Sequence, residues 1–330
     1  MRRFVQSTLH PERYHGHRKS PPFFEGWYYK IIDADERHKF AVIPGIFKNA
    51  AAEKTHAFIQ VLDGVAGTSA YHTFPIEAFS AAEDDFEVRI GANRFRAEGL
   101  TLNLEGSDLA LRGELRFEGQ APWPVTLTAP GIMGWYAWMP FMECYHGVVS
   151  LDHAIHGSLT RDGTGMDFGG GRGYIEKDWG VAFPAAWIWT QTNHFAAPGT
   201  CLTASVAMIP WIGRAFRGFI IGLWHEERLC RFATYTNARI EKLELTDDHV
   251  TWVVRDRRHR LEMLASRAAG GLLHGPTRHE MHQRVEETLN ATVEVCLSAF
   301  EGGTLRRRFQ GVGRNAGLEV EGDLPRLLKG

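Results

Sequence analysis

The residues best suited to proton chemistry stand close together between Gly169 and Phe195, in the run GGGRGYIEKDWGVAFPAAWIWTQTNHF. Read at period two, Tyr174, Glu176 and Asp178 share one strand face, while Ile175, Lys177 and Trp179 share the other. Further on, Trp187, Trp189, Gln191 and Asn193 lie on one face, opposite Ile188, Thr190, Thr192 and His194. A carboxyl group in apolar surroundings is driven toward its neutral, proton-donating form. Indole faces attract cations, and amides orient a polar group, so this combination suits acid-initiated chemistry on an apolar molecule. Two further stretches have the same character. FFEGWYYKIID places Glu25 on one face with Phe23, Trp27, Tyr29 and Ile31, and MECYHG brings Glu143, Tyr145 and His146 into an aromatic cluster. The structural alternative is a large aromatic core with a few carboxylates, in which Glu25 is a rim glutamate paired with Arg or Lys.

Other motifs fall short of their chemistry. Gly169, Gly170, Gly171 and Gly173 miss the dinucleotide spacing G-x-G-x-x-G and run into a strand-like segment, so a flexible junction is expected. HEMH at 279 to 282 is not H-E-x-x-H, and DHAIH at 152 to 156 lacks supporting ligands, so no metal and no other cofactor is expected. No G-x-S-x-G nucleophile elbow occurs. The basic runs at 255 to 260 and 306 to 308 read as solvated turns or strand faces.

The elements that position these residues read as strands throughout. From Asp85 to Gly119 the chain alternates as an antiparallel meander, with Leu100, Leu102 and Leu104 inward. The second half repeats short strands with polar turns, and only Thr277 to Glu287 reads as a short helix. At 330 residues two domains are expected, and the glycine-rich change at 161 to 173 sets them at 1–168 and 169–330. The fold class is therefore all-β, with two related antiparallel β-barrel or sandwich domains and little helix. A formal charge of −2 gives no footprint for nucleic acid. No apolar run reaches the ~18–20 residues that span a bilayer. The basic N-terminus has no apolar stretch behind it, and the four cysteines are scattered, so a cytoplasmic protein with reduced, mostly buried thiols is expected.

FFEGWYYK, MGWYAWMPFMECYHGVVSLDH, GYIEKDWGVAFPAAWIWTQTNHF, RFATY and AGLEVEG, in that order from Phe23 to Gly322, resemble the tocopherol cyclase family. The resemblance implies two lipocalin-like domains and a relation to carotenoid 1,2-hydratases. It also implies cofactor-free, acid-initiated cyclisation of a prenylated hydroquinone to a chromanol. The acid candidates are Asp178, then Glu25, then Glu176. Substrate contacts are expected from Trp27, Tyr29, Glu143, His146, Trp179, Trp187, Trp189, Gln191 and Asn193. Hydration of an isoprenoid or carotenoid alkene is the alternative reaction, and a non-catalytic carrier of lipophilic ligands the alternative class. The expected partner is a hydrophobic small molecule, collected by transient contact with a membrane.

Overall fold

The computed structural model describes residues 2–106 and 109–329, and it is built almost entirely of strands. Two short helices, α1 (Arg2–Thr8) and α2 (Leu324–Lys329), stand near the ends. The chain forms the two lipocalin-like antiparallel units that its alternation predicts. Unit 1 comprises the chain up to Phe183 together with Gly271–Val285, and unit 2 comprises Pro184–Gly270 and the chain from Glu286 onward.

Unit 1 begins with β1 (Phe23–Ile32), β2 (Lys39–Lys48), β3 (His56–Asp63) and β4 (Thr68–Phe74). The predicted meander follows as β5 (Phe79–Ala81), β6 (Glu87–Ile90), β7 (Asn93–Arg96), β8 (Gly99–Asn103) and β9 (Leu111–Glu118). Then come β10 (Cys144–Arg161), β11 (Thr164–Asp167) and β12 (Gly171–Gly180). The sheet order is β4-β3-β2-β1-β12-β10-β9-β8-β7-β6-β5, with β11 paired to β10. Leu100, Leu102 and Leu104 are buried in the core, beside Trp27, Tyr29 and Phe95. Each fully buried side chain of this size contributes about 2–3 kcal/mol.

The glycine-rich run is not a junction. Strand β12 threads between β1 and β10, and its glycines allow that close approach. A Cβ on Gly171 would lie 2.2 Å from the Ile32 carbonyl oxygen, and one on Gly173 would lie 2.2 Å from His153 Nε2. The boundary expected after residue 168 therefore falls after Phe183, and β12 belongs to unit 1.

Unit 2 carries β13 (Ala186–Thr192), β14 (Cys201–Trp211), β15 (Arg214–His225), β16 (Arg228–Ala233), β17 (Arg239–Leu245), β18 (His249–Arg255) and β19 (His259–Ser266). They are followed by β20 (Gly271–Pro276), β21 (Met281–Glu301) and β22 (Thr304–Gly322). The order β16-β15-β14-β13-β22-β21-β19-β18-β17 repeats the plan of unit 1, because in both sheets the first strand lies between the second and the last. The helix expected at Thr277 to Glu287 is absent. Thr277 Oγ1 accepts the Glu280 N–H in a turn, and from Met281 the polar run is held extended by pairing with β20. Through Gly271–Val285 this hairpin packs in unit 1, where the Gln60 amide brackets the His274 backbone and Ser69 Oγ donates to the Leu272 carbonyl.

Candidate functional site

Alternation along β12 separates the sequence candidates into two environments. Trp179 and Lys177 point into unit 1 and meet β1 in the register Glu25↔Trp179 and Trp27↔Lys177. Glu25 and Lys177 are fully buried and ion-paired, and the Glu25 carboxylate also accepts the His15 backbone N–H at 2.9 Å. The ammonium donates to the Arg13 carbonyl at 2.5 Å and lies 4.6 Å from the centre of the Trp27 ring. Trp179 stacks between His15 at 4.2 Å and Tyr145 at 5.3 Å, and the Trp27 indole N–H donates to the Glu12 carbonyl. Burial pushes the Glu25 carboxyl up, but Lys177 and His15 outweigh it and hold the group below its ordinary value. Glu25 is thus an ionised structural carboxylate, not the neutral acid expected. Trp27 and Trp179 face its lysine, and Tyr29 donates to the Arg96 carbonyl in the same core. These residues form the packed interior of unit 1.

The opposite face holds a different cluster. In the register His146↔Asp178, the imidazole of β10 sets Nδ1 2.9 Å from Asp178 Oδ1 and Nε2 3.5 Å from Glu176 Oε2. Tyr174 Oη donates to that Glu176 oxygen at 2.5 Å, and Cys144 Sγ lies 4.0 Å from Asp178. Burial lowers the His146 pKa, yet the two carboxylates overcome this and lift it to about 9. An imidazolium between two carboxylates, with Asp178 about 29% exposed, is a proton store with one accessible end. The turn after β12 is fixed by Gly180, at φ 152°, where a Cβ would lie 2.2 Å from the Glu143 carbonyl oxygen.

Three candidates therefore come together: Asp178, Glu176 and His146. Their ligand atoms lie within 4.8 Å of one another, which makes them, among the described residues, the group that could hold a metal ion. The expectation of no metal rested on the spacing of HEMH and DHAIH, whereas these ligands are joined only by strand pairing. A cation would have to displace the proton that His146 binds so strongly. Glu143 stands apart, its carboxylate accepting from Arg278 at 2.6 Å.

In unit 2, Trp187, Trp189 and Gln191 are buried on the face of β13 opposite the core residues Ala186 and Ile188. Trp187 Nε1 donates to Glu319 at 2.6 Å, and Gln191 Nε2 lies 3.5 Å from Cys201 Sγ. Asn193 Oδ1 sits 3.0 Å from His194 Nδ1. Trp189 lies over Gly317, where an added Cβ would be 2.6 Å from its ring. Glu287 and Glu319 share this face as cross-strand partners. A crevice of about 10 Å3 lies beside Phe219 and Trp252.

Sequence reasoning missed Tyr174 as the partner of Glu176, and Lys177 and His15 as the partners of Glu25. Tyr174 had a local signal, two residues before Glu176 on the same face. Lys177 and His15 had none, since they meet Glu25 from 152 and 10 residues away. Glu319 and Glu287 were missed for the same reason.

Residues 105–322 match the family described as tocopherol cyclase-like. The chain belongs to the tocopherol cyclase-like family. The matched span contains the His146, Glu176 and Asp178 cluster and the indoles of β13, and it leaves out Glu25, Trp27 and Tyr29. The chain is 29% identical over 116 residues to a probable chloroplastic tocopherol cyclase of Oryza sativa subsp. japonica, covering 34% of this chain and 25% of that protein. It is 30% identical over 107 residues to the chloroplastic tocopherol cyclase of Zea mays, covering 31% and 23%. The matches thus span about a quarter of the length of these tocopherol cyclase relatives. The crystal structure of CghA with Sch210972 superposes with a TM-score of 0.56 at 13% identity, covering 92% of this chain and 89% of that one, and shares the fold. No described helix is long and apolar enough to cross a membrane.

Proposed function

We propose that the protein is a cofactor-independent cyclase that closes a prenylated hydroquinone to a chromanol by acid initiation. The observation that carries this reading is the proton store on the outer face of β12, inside the span that matches the tocopherol cyclase-like family. His146 binds the first proton, and Tyr174 donates to Glu176, which favours Glu176 as an acceptor. That proton reaches the substrate through Asp178, which lies 2.9 Å from His146 Nδ1 and is the most exposed of the three. Asp178 delivers it to the prenyl double bond, forming a C–H bond and leaving a tertiary cation. The ring hydroxyl oxygen closes on that cation, and its proton returns to Asp178, so the product is an isomer of the substrate. The four free cysteines support a reducing compartment such as the cytoplasm.

Hydration of an isoprenoid alkene is the second reading, favoured by the solvent exposure of Asp178, since water can trap the same cation. Incubation with a prenylated hydroquinone and mass analysis separates the two. A cyclised product of unchanged mass supports the proposal. A product heavier by one water assigns the hydratase reaction, and substrate returned unchanged reduces the protein to a carrier.

A further inference from the structure

The loop between β9 and β10 has a composition unlike the rest of the surface. None of the 24 residues from Gly119 to Met142 is charged, in a chain that is 23% charged. Among the described residues, four of the ten exposed large apolar side chains belong to this loop: Val125 at 39%, Leu127 at 69%, Trp135 at 42% and Phe141 at 53%. Phe4 of α1, 46% exposed, adds to them, with its ring 5.9 Å from that of Trp138. Exposed apolar side chains scattered singly need no explanation, but a cluster on one uncharged loop does.

The loop is stiff. Trp123, Ile132, Met133 and Met142 are buried beneath it as anchors. Its backbone is closed on itself by the Thr126 and Ala129 pair, by Gly134 N–H to the Gly131 carbonyl and by Met139 N–H to the Tyr136 carbonyl. Trp138 Nε1 donates to the Leu127 carbonyl at 3.0 Å, which holds the most exposed tip in place. A segment that carries no charge avoids the largest desolvation cost on leaving water for an apolar medium. Indoles near a polar boundary are characteristic of membrane interfaces.

We propose that this surface, Phe4 with Val125, Leu127, Trp135 and Phe141, docks the protein on the headgroup boundary of an anionic lipid bilayer. A cation stands at its edge: Arg3 is exposed beside Phe4 and is suited to lipid phosphates, whereas Arg278, next to Met142, is paired with Glu143. The docking surface rests on its own exposure and composition and holds whatever reaction the outer cluster of β12 performs.

The test is sedimentation of the full chain with vesicles of phosphatidylcholine and phosphatidylglycerol at about 3:1 (a composition suited to the charge argument), beside a Leu127→Glu/Phe141→Glu variant and Arg3→Ala. The wild type sediments with the vesicles, and the double variant loses binding about tenfold or more. Arg3→Ala weakens binding to the anionic vesicles but leaves binding to pure phosphatidylcholine unchanged. Near-ultraviolet circular dichroism identical to wild type shows that the double variant remains folded. Failure of the wild type to sediment overturns the proposal, as does equal binding by a folded double variant. A wild-type dimer that Leu127→Glu/Phe141→Glu converts to monomer, with no vesicle binding, reassigns the patch to a second copy of this chain.

Discussion

Two carboxylate clusters sit on opposite faces of one strand and behave in opposite ways. Inside unit 1, Glu25 meets Lys177 and is held ionised. One residue along, on the outer face, Asp178 meets His146, whose pKa rises to about 9. The ingredients are similar: a carboxylate, a basic group and a ring. What differs is access. Glu25 and Lys177 have no exposed surface, while Asp178 has one open side. A buried ion pair with satisfied partners is a structural device, and the proton is available only where a group can still exchange it with solvent or substrate.

The sharpest way to break this comparison is to replace each acid by its amide. Glu25→Gln strands the Lys177 ammonium in the core, which costs about 3–5 kcal/mol and lowers the midpoint of thermal unfolding by about 10 °C. Asp178→Asn lowers that midpoint by less, about 2–5 °C, since its site is partly solvated and Glu176 still faces His146, and reduces turnover of a prenylated hydroquinone about 100-fold or more. Thermal unfolding and steady-state rates measured on both variants decide the matter. Turnover preserved in Asp178→Asn would remove Asp178 as the acid and leave Glu176 as the remaining candidate on that face.

The outer cluster also makes a pH signature in the neutral-to-alkaline range. The folded pKa of His146 lies near 9, above its unfolded value of 6.5, so folding favours the protonated form. That contribution is fully present below pH 6.5, declines between 6.5 and about 9, and is lost above. Its size is on the order of 3 kcal/mol. The stability difference between wild type and His146→Gln, measured by denaturant unfolding, therefore shrinks steadily from pH 6 to pH 10. A difference that stays constant over this range would show that His146 does not carry the proton. The Glu25 carboxylate works the other way, with its folded pKa lowered. Its stabilisation is present above the ordinary carboxyl value and fades as pH falls through the lowered one.

Period two made the two faces of β12 legible, because each is set by the strand alone. Which face held available acid was not legible. The answer depends on Lys177, from the same strand as the favoured acid Asp178, turning inward to meet Glu25 across β1. It depends equally on His15, brought in by the segment after α1. The glycine run at 169 to 173 misled for a related reason. Flexibility and close packing both call for glycine, and only the neighbouring strands reveal that Gly171 and Gly173 serve packing. The polar run after Thr277 likewise carried no sign of the partner strand that holds it extended.

The smallest expected effect tests the finest part of the comparison, the division of labour between the two outer carboxylates. Tyr174 donates to Glu176, which favours Glu176 as the acceptor and Asp178 as the proposed proton donor. Tyr174→Phe removes one hydrogen bond to a charged group, worth about 1.5 kcal/mol, and turnover falls about tenfold. A purely structural tyrosine would lower stability and rate together and leave the shape of the pH–rate profile alone. A positioning tyrosine also changes the profile. With Glu176 freed to take a proton, His146 loses part of the negative charge that lifts its pKa, and the alkaline limb moves to lower pH. The profile of Tyr174→Phe, read against that of Asp178→Asn, shows whether the proton route runs through one carboxylate or both. An alkaline limb that stays in place would mean that Glu176 keeps its charge without the tyrosine, and the asymmetry within the outer cluster would then rest on the exposure of Asp178 alone.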